Sequence, residues 1–391
     1  MSSIRRQFKW GLLAITLLGA FFRFPGLFEN TFAADEALFA MWARYIATWR
    51  DPLLFNVPTA VDKPPLLFYL QGLFYPLQGP VEWAARLPNF LSSIMLIPLV
   101  GIIACELTKG NLKRSLLASA IVAFSPMAMQ FSATAYTDPL LTFLVTVAVW
   151  HSVRNRELPQ KSALWLGIAF WAKYQAVLFV PLIWLLLWGH KVNKWNWDKV
   201  FRWSAVFGGC LTALFVWDAV SGSGIDLVSR QVSSYGGVAL TPAAEWLPRL
   251  HAWGNLFTFV PGFVFVWAFP PFFVVFLLFN RQVIVGYQLA NRYLLGFVIY
   301  FLLFHWLVNI QPWDRYLLPL VPVFALWVVT IPRRLVSYNG KVLETFALLA
   351  LAILFLVLQA MPARVGGYPV GGRPDNDDGA AAIAQTIIDE P

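Results

Sequence analysis

SALWLGIAFWAKYQAVLFVPLIWLLLWG, residues 162–189, carries a single charge, Lys173, and its reading decides the fold. At a helical rise of about 1.5 Å per residue the stretch is long for one crossing of a lipid hydrocarbon layer of about 30 Å and short for two. Its flanks settle the matter. Arg154, Arg156 and Lys161 precede it, and Lys191, Lys194, Lys199 and Arg202 follow it. Basic clusters are held on the cytoplasmic side of a membrane. With both clusters there, the chain must go out and return, leaving Lys173-Tyr174-Gln175 at the outer tip of two short helices.

Outward from this hairpin, apolar runs mark further spans near residues 10–28, 84–107, 115–131, 136–153, 201–220, 257–279, 293–310, 316–331 and 343–361, making about eleven in all. The composition agrees: 59% of the 391 residues are hydrophobic and 13% charged. A soluble domain carries about a quarter charged residues, and a disordered chain has more charge and less apolar content, so both classes are excluded. The formal charge of +9 invites a nucleic-acid reading, but the basic residues sit in short clusters between apolar runs, as membrane topology requires. No nucleic-acid partner is expected. Cys105 and Cys210 both lie inside apolar stretches and offer no disulfide framework. MSSIRRQFKW followed by GLLAITLLGAFF, without a small-residue cleavage site, reads as an uncleaved signal anchor with a cytoplasmic N-terminus. The expected fold is therefore an all-α polytopic integral membrane protein. Residues 1–362 form the membrane domain, including a long outer loop at 29–83, and 363–391 a polar outward tail.

The unusual polar content faces outward. ADEALFAMWARYIATWR places Leu38, Met41, Trp42, Tyr45, Ile46 and Trp49 on one helical face, the pattern of an amphipathic helix lying on the membrane. Asp35 and Glu36 open that helix. They read either as acids stabilised by the helix dipole or as a general base held at the membrane surface. Asp62 and Lys63 precede Pro64-Pro65 and the run at 66–79, which is too short to cross and is expected to lie at the interface. The prolines either start that helix and no more, or fix an ammonium where it can meet a phosphate. Asp138-Pro139 has the form of an N-cap and first-turn pair, and Asp314 stands likewise before Arg315. An arginine or lysine at the outward end of a span, as Arg315 and Lys173 are, pairs, binds an anion or snorkels. His151, His190, His251 and His305 show no ligand spacing, and the metal question stays open, a divalent cation included. No Walker loop, dinucleotide glycine motif or nucleophile elbow occurs, which argues against nucleotide-driven transport and serine hydrolysis.

Taken in order, ADEALFAMWARYIATWRDPL, DKPPLLFYLQGLF, ARLPNFLSSIMLIPLVGIIACEL, YTDPLLTFLVTVAVW, GIAFWAKYQAVLFVPL and DRYLLPLVPVFAL resemble the bacterial members of the GT-C glycosyltransferase superfamily. The nearest groups are the protein O-mannosyltransferase-like enzymes and the lipid A aminoarabinose transferases. The resemblance implies a bacterial plasma-membrane enzyme, with its active site outside, that moves a sugar from a polyprenyl-phosphate carrier to a lipid, glycan or protein acceptor. It implies Asp35 as catalytic acid residue of the DE pair and Lys63 as phosphate-binding lysine of the KPP element. Asp62 stands where aminoarabinose transferases commonly have glutamate. Such enzymes often add a soluble outer domain; here PDNDDGAAAIAQTIIDEP stands in its place, so that domain is expected to be absent or cut short.

The chemistry suits the residues independently. A polyprenyl phosphate is a good leaving group and needs no general acid. Required are one carboxylate to take the acceptor's proton, from Asp35 or Glu36, and cations for the departing phosphate, from Lys63, Arg315 and Lys173. Asp62 and Asp138 complete the set of outer charges. One base predicts direct displacement with inversion. Two other readings use the same charges: a lipid or sugar transporter, which the lack of an internal repeat disfavours, and a non-catalytic subunit of a membrane assembly.

Overall fold

A computed structural model of the chain describes residues 2–28, 32–58, 61–76, 81–189, 196–221, 239–262 and 289–331. The described residues are helix, turn and loop, with one isolated bridge between Leu240 and Val308. The helices are α1 (Ser2–Arg23), α2 (Ala34–Ala47), α3 (Leu66–Phe74), α4 (Glu82–Leu107), α5 (Leu112–Phe124), α6 (Pro126–Gln130) and α7 (Thr137–Arg154). They continue as α8 (Gln160–Ala172), α9 (Val180–Trp188), α10 (Trp197–Val220), α11 (Trp246–Phe257), α12 (Leu289–Leu307) and α13 (Leu320–Thr330).

Contacts at the helix ends give each helix its sense. At one end of the bundle the Arg23 guanidinium, buried at the close of α1, donates to the carbonyls of Val122 and Ala123 and to Ser93 Oγ. At the other end Arg114, opening α5, donates to the carbonyls of Val329 and Ile331 as α13 finishes. Both arginines satisfy carbonyls that a helix terminus leaves without partners, which is how a guanidinium is tolerated inside an apolar bundle. Close approach also matters: a Cβ on Gly167 would stand 2.4 Å from Cys210 Cβ, so α8 and α10 touch through a residue with no side chain.

Residues 162–189 double back as a hairpin. Trp203 Nε1 donates to Ser162 Oγ near the start of α8, and Trp171 Nε1 donates to the Cys210 carbonyl near its end, so α8 and α10 run parallel. Gln175 Nε2 meets His305 Nε2 late in α12, whereas Gly189 abuts Tyr293 near the start of α12. The return leg, a 3-10 turn at Tyr174–Phe179 followed by α9, therefore runs against α12. Lys173 is left at the turn between the two legs.

Two spans differ from their sequence reading. The run at 115–131 breaks at Ser125-Pro126, because the proline has no N–H to continue α5; Ser125 Oγ instead donates to the Val260 carbonyl. The run at 316–331 starts with a 3-10 turn, Asp314–Leu317, before α13. Among the described residues, four stretches are long and apolar enough to cross a membrane: Arg6–Leu27, Glu82–Leu107, Trp197–Val220 and Leu289–Leu307. Of the remaining expected crossings, 257–279 lies almost wholly, and 343–361 wholly, outside the described residues, as does the tail 363–391.

The amphipathic helix α2 is turned from the face expected of it. It buries Glu36, Phe39, Ala40, Trp42 and Ala43, and ends at Ala47, leaving Trp49 beyond it and 82% exposed. Phe39 and Trp42 stack with ring centroids 5.6 Å apart, and Phe68 of α3 closes on both at 5.3 and 4.9 Å. Packing against α3, rather than a lipid surface alone, selects this stripe.

Candidate functional site

α2, α7, the α8–α9 turn and the 3-10 turn at Asp314–Leu317 bring four charges together at one end of the bundle. Arg315 Nη2 lies 2.8 Å from Asp35 Oδ2, and its Nε lies 4.0 Å from Asp138 Oδ2. Lys173 Nζ is 2.5 Å from Asp138 Oδ1. Acid and base thus alternate in a chain, Asp35, Arg315, Asp138, Lys173, drawn from residues up to 280 positions apart. Asp138 is buried and Asp35 is 42% exposed, so the chain runs from the interior to an open carboxylate.

Aromatic rings fix the cations. The Arg315 guanidinium carbon sits 4.4 Å from the Tyr136 ring centroid and 5.1 Å from that of Trp313. Lys173 Nζ stands 4.2 Å from the Tyr316 centroid. A ring face attracts a cation and stiffens a side chain that would otherwise swing. Burial opposes the charge on Arg315, but Asp138 and Asp35 outweigh it and raise the guanidinium above its ordinary pKa.

The two acids that open α2 have separate surroundings. Glu36 is 5% exposed; its Oε2 accepts the Ala33 N–H at 3.0 Å and its Oε1 the Ala135 N–H at 2.5 Å. Arg86 Nε lies 3.9 Å from Oε1. Burial raises the Glu36 carboxyl above its usual range, against the pull of Arg86 and the two backbone N–H groups. Glu36 thus closes half of a capping box and ties α2 to the loop before α7. Asp35, on the other side of the helix, is left open to solvent and to Arg315.

Asp138 does not cap. The N-cap of α7 is Tyr136, without a side-chain bond, and the Asp138 carboxylate is given to Lys173. Asp314 accepts the Arg315 N–H at 2.7 Å and opens a 3-10 turn, not a span. Lys63, 11% exposed, pairs with Asp62 Oδ2 at 2.5 Å just before α3. α3, which the KPP element opens, packs against α2 and α8, so that element borders the cluster. Among the described residues no three His, Cys, Asp or Glu side chains converge as metal ligands. The sequence gives little sign of Arg86, Tyr136, Trp313 and Tyr316; the one signal is an arginine at the third position of the apolar span at 84–107.

Residues 62–217 match the family described as dolichyl-phosphate-mannose-protein mannosyltransferase. Among solved structures the fold is similar to ArnT from Cupriavidus metallidurans bound to undecaprenyl phosphate, at 13% identity and a TM-score of 0.58, over 91% of this chain and 64% of that one. It is similar also to the apo state of the same protein, at 13% identity and a TM-score of 0.54, over 90% and 62% of the two chains. The chain spans less than two thirds of that relative's length. By sequence, no curated protein matches. Over residues 62–217 the chain thus resembles that mannosyltransferase family in sequence, and its described residues share a helical fold with ArnT.

Proposed function

We propose that this chain is a membrane glycosyltransferase that moves a sugar from a polyprenyl-phosphate carrier to an acceptor hydroxyl at the outer face. The observation that carries the reading is the partly exposed Asp35 carboxylate held 2.8 Å from Arg315, next to the buried Asp138–Lys173 pair. The acceptor oxygen bonds to the anomeric carbon as that carbon's bond to the phosphate oxygen breaks. The electron pair leaves with polyprenyl phosphate, and the acceptor's proton passes to Asp35. Arg315, Lys173 and Lys63 neutralise the departing phosphate, which exchanges with Asp35 as the partner of Arg315. Asp138 and Asp62 position the two lysines.

The match to a mannosyltransferase family and the likeness to a structure holding undecaprenyl phosphate support this class of donor. The test is incubation of the purified chain with radiolabelled polyprenyl-phosphate sugars. Transfer of label to an acceptor, with release of the carrier phosphate, is the expected result; transport or binding without bond cleavage contradicts it.

Each cation on the phosphate contributes a charge-assisted hydrogen bond of about 1.5–3 kcal/mol. Lys63→Ala or Arg315→Ala should therefore weaken polyprenyl-phosphate binding roughly tenfold to a hundredfold. Lys63→Arg should restore only part, since a planar fork does not sit where a point-like ammonium did. Equilibrium binding by the purified variants checks this, and unchanged affinity in both would remove the cations from the site.

The outer placement has its own check. Trp49 and Trp197 are 82% and 73% exposed; Tyr69 ties Pro52, three residues after Trp49, to Trp217 near the close of α10, whereas Trp197 opens α10, so the two tryptophans mark opposite ends of the bundle. On a background without Cys105 and Cys210, an impermeant maleimide should label Trp49→Cys in intact cells and Trp197→Cys only after permeabilisation. The reverse pattern would place the cluster in the cytoplasm.

A further inference from the structure

At the end of the bundle away from Asp35, the chain at and just beyond the close of α4 and of α7, with the start of α12, borders an open cleft of about 650 Å³. Three cations line it, Lys109, Arg154 and Arg156, against one acid, Glu106. That acid is already engaged: Trp150 Nε1 donates to Glu106 Oε1 at 3.4 Å, and Arg154 Nη1 lies 3.7 Å from the same oxygen. Arg154 in turn rests on the Trp150 ring, 5.3 Å from its centroid. Glu106 thus anchors one cation and leaves two. Lys109 and Arg156 are exposed and have no carboxylate partner among the described residues. Nor is Lys109 on a loose loop. Its backbone adopts a φ of 54°, held by the N–H of Lys109 on the Glu106 carbonyl and that of Gly110 on the Cys105 carbonyl.

Leu107 and Leu289 give the cleft an apolar edge beside its charged wall. Excess positive charge next to an apolar rim, between helices at the basic end of a membrane bundle, suits a phosphate that carries acyl chains. We propose that this cleft binds the phosphate headgroup of an anionic glycerophospholipid of the inner leaflet. A free phosphate shares the headgroup's charge but not the chains, and the apolar edge favours the lipid. The cleft shares no residue with the Asp35 cluster, so the proposal stands apart from the transfer reaction.

The test uses the full chain in a neutral detergent, titrated with phosphatidylglycerol and with phosphatidylcholine, and bound lipid is counted by native mass spectrometry. Saturable binding of phosphatidylglycerol in preference to phosphatidylcholine is expected, and inorganic phosphate should not displace it. Near a membrane each Lys or Arg is worth about fivefold in affinity for an anionic lipid, so Lys109→Ala with Arg156→Ala should weaken binding roughly 25-fold. The charge-keeping pair Lys109→Arg with Arg156→Lys should bind as the parent does, which separates lost charge from lost folding. Equal binding of the two lipids, or a double alanine variant within twofold of the parent, overturns the proposal. Full displacement by inorganic phosphate overturns it too, and assigns the cleft to a soluble anion.

Discussion

Asp35→Asn should leave the protein folded and cut sugar transfer by a factor of about 10²–10⁴, the usual loss when a general base is removed. The substitution keeps the side chain's shape at a position that is 42% exposed, and it gives up a first-turn acid worth about 0.3–1 kcal/mol to the helix. Its bond to Arg315 weakens from ionic to polar, yet Asp138 still lies 4.0 Å from the Arg315 Nε. Little stability is therefore at stake, while the proton acceptor is gone. Glu36→Gln should divide the other way. Both Glu36 oxygens accept backbone N–H groups in a buried setting, and a glutamine offers one acceptor for two donors. A lower melting temperature with transfer largely kept in the folded fraction is expected there. Were Asp35→Asn to retain more than about a tenth of the parent's turnover, Asp35 would be a partner of Arg315 and no base.

The second large effect concerns stability. Lys173→Met should destabilise the protein by about 3–5 kcal/mol, because it leaves the buried Asp138 carboxylate without its nearest cation. Arg315, at 4.0 Å from Asp138, offsets part of that and sets the lower end of the range. Asp138→Asn should also destabilise, by stranding Lys173. Combining the two removes both charges, so the double variant should be more stable than the sum of the single losses allows. Thermal unfolding of the four proteins in one detergent gives the coupling. Additive losses would mean that the two side chains do not act as a pair.

The hairpin at 162–189 was legible because charge alone distinguishes one crossing from two, and basic flanks are a strong constraint on sidedness. The charges gathered at the turn of that hairpin were legible as a set for the same reason. Their partners were not. Asp138-Pro139 has the local form of a helix start, and nothing nearby in sequence reveals that Lys173 takes the carboxylate instead. Adjacent acids such as Asp35 and Glu36 point about 100° apart on a helix, so one is buried wherever a neighbour covers that side; the covering loop at Ala135 is 99 residues away. The stripe of α2 was misread by part of a turn because Phe68, not lipid, selects Phe39 and Trp42. Amphipathic pattern gives the width of an apolar face, and tertiary packing decides its centre.

The most direct measurement is a structure of the chain with a polyprenyl phosphate bound. The phosphate is predicted to lie within hydrogen-bond reach of Arg315 and Lys63, with the Arg315–Asp35 contact opened and the Asp35 carboxylate facing the position of the sugar. A phosphate bound elsewhere, with Arg315 still joined to Asp35 and Lys63 to Asp62, would contradict the account.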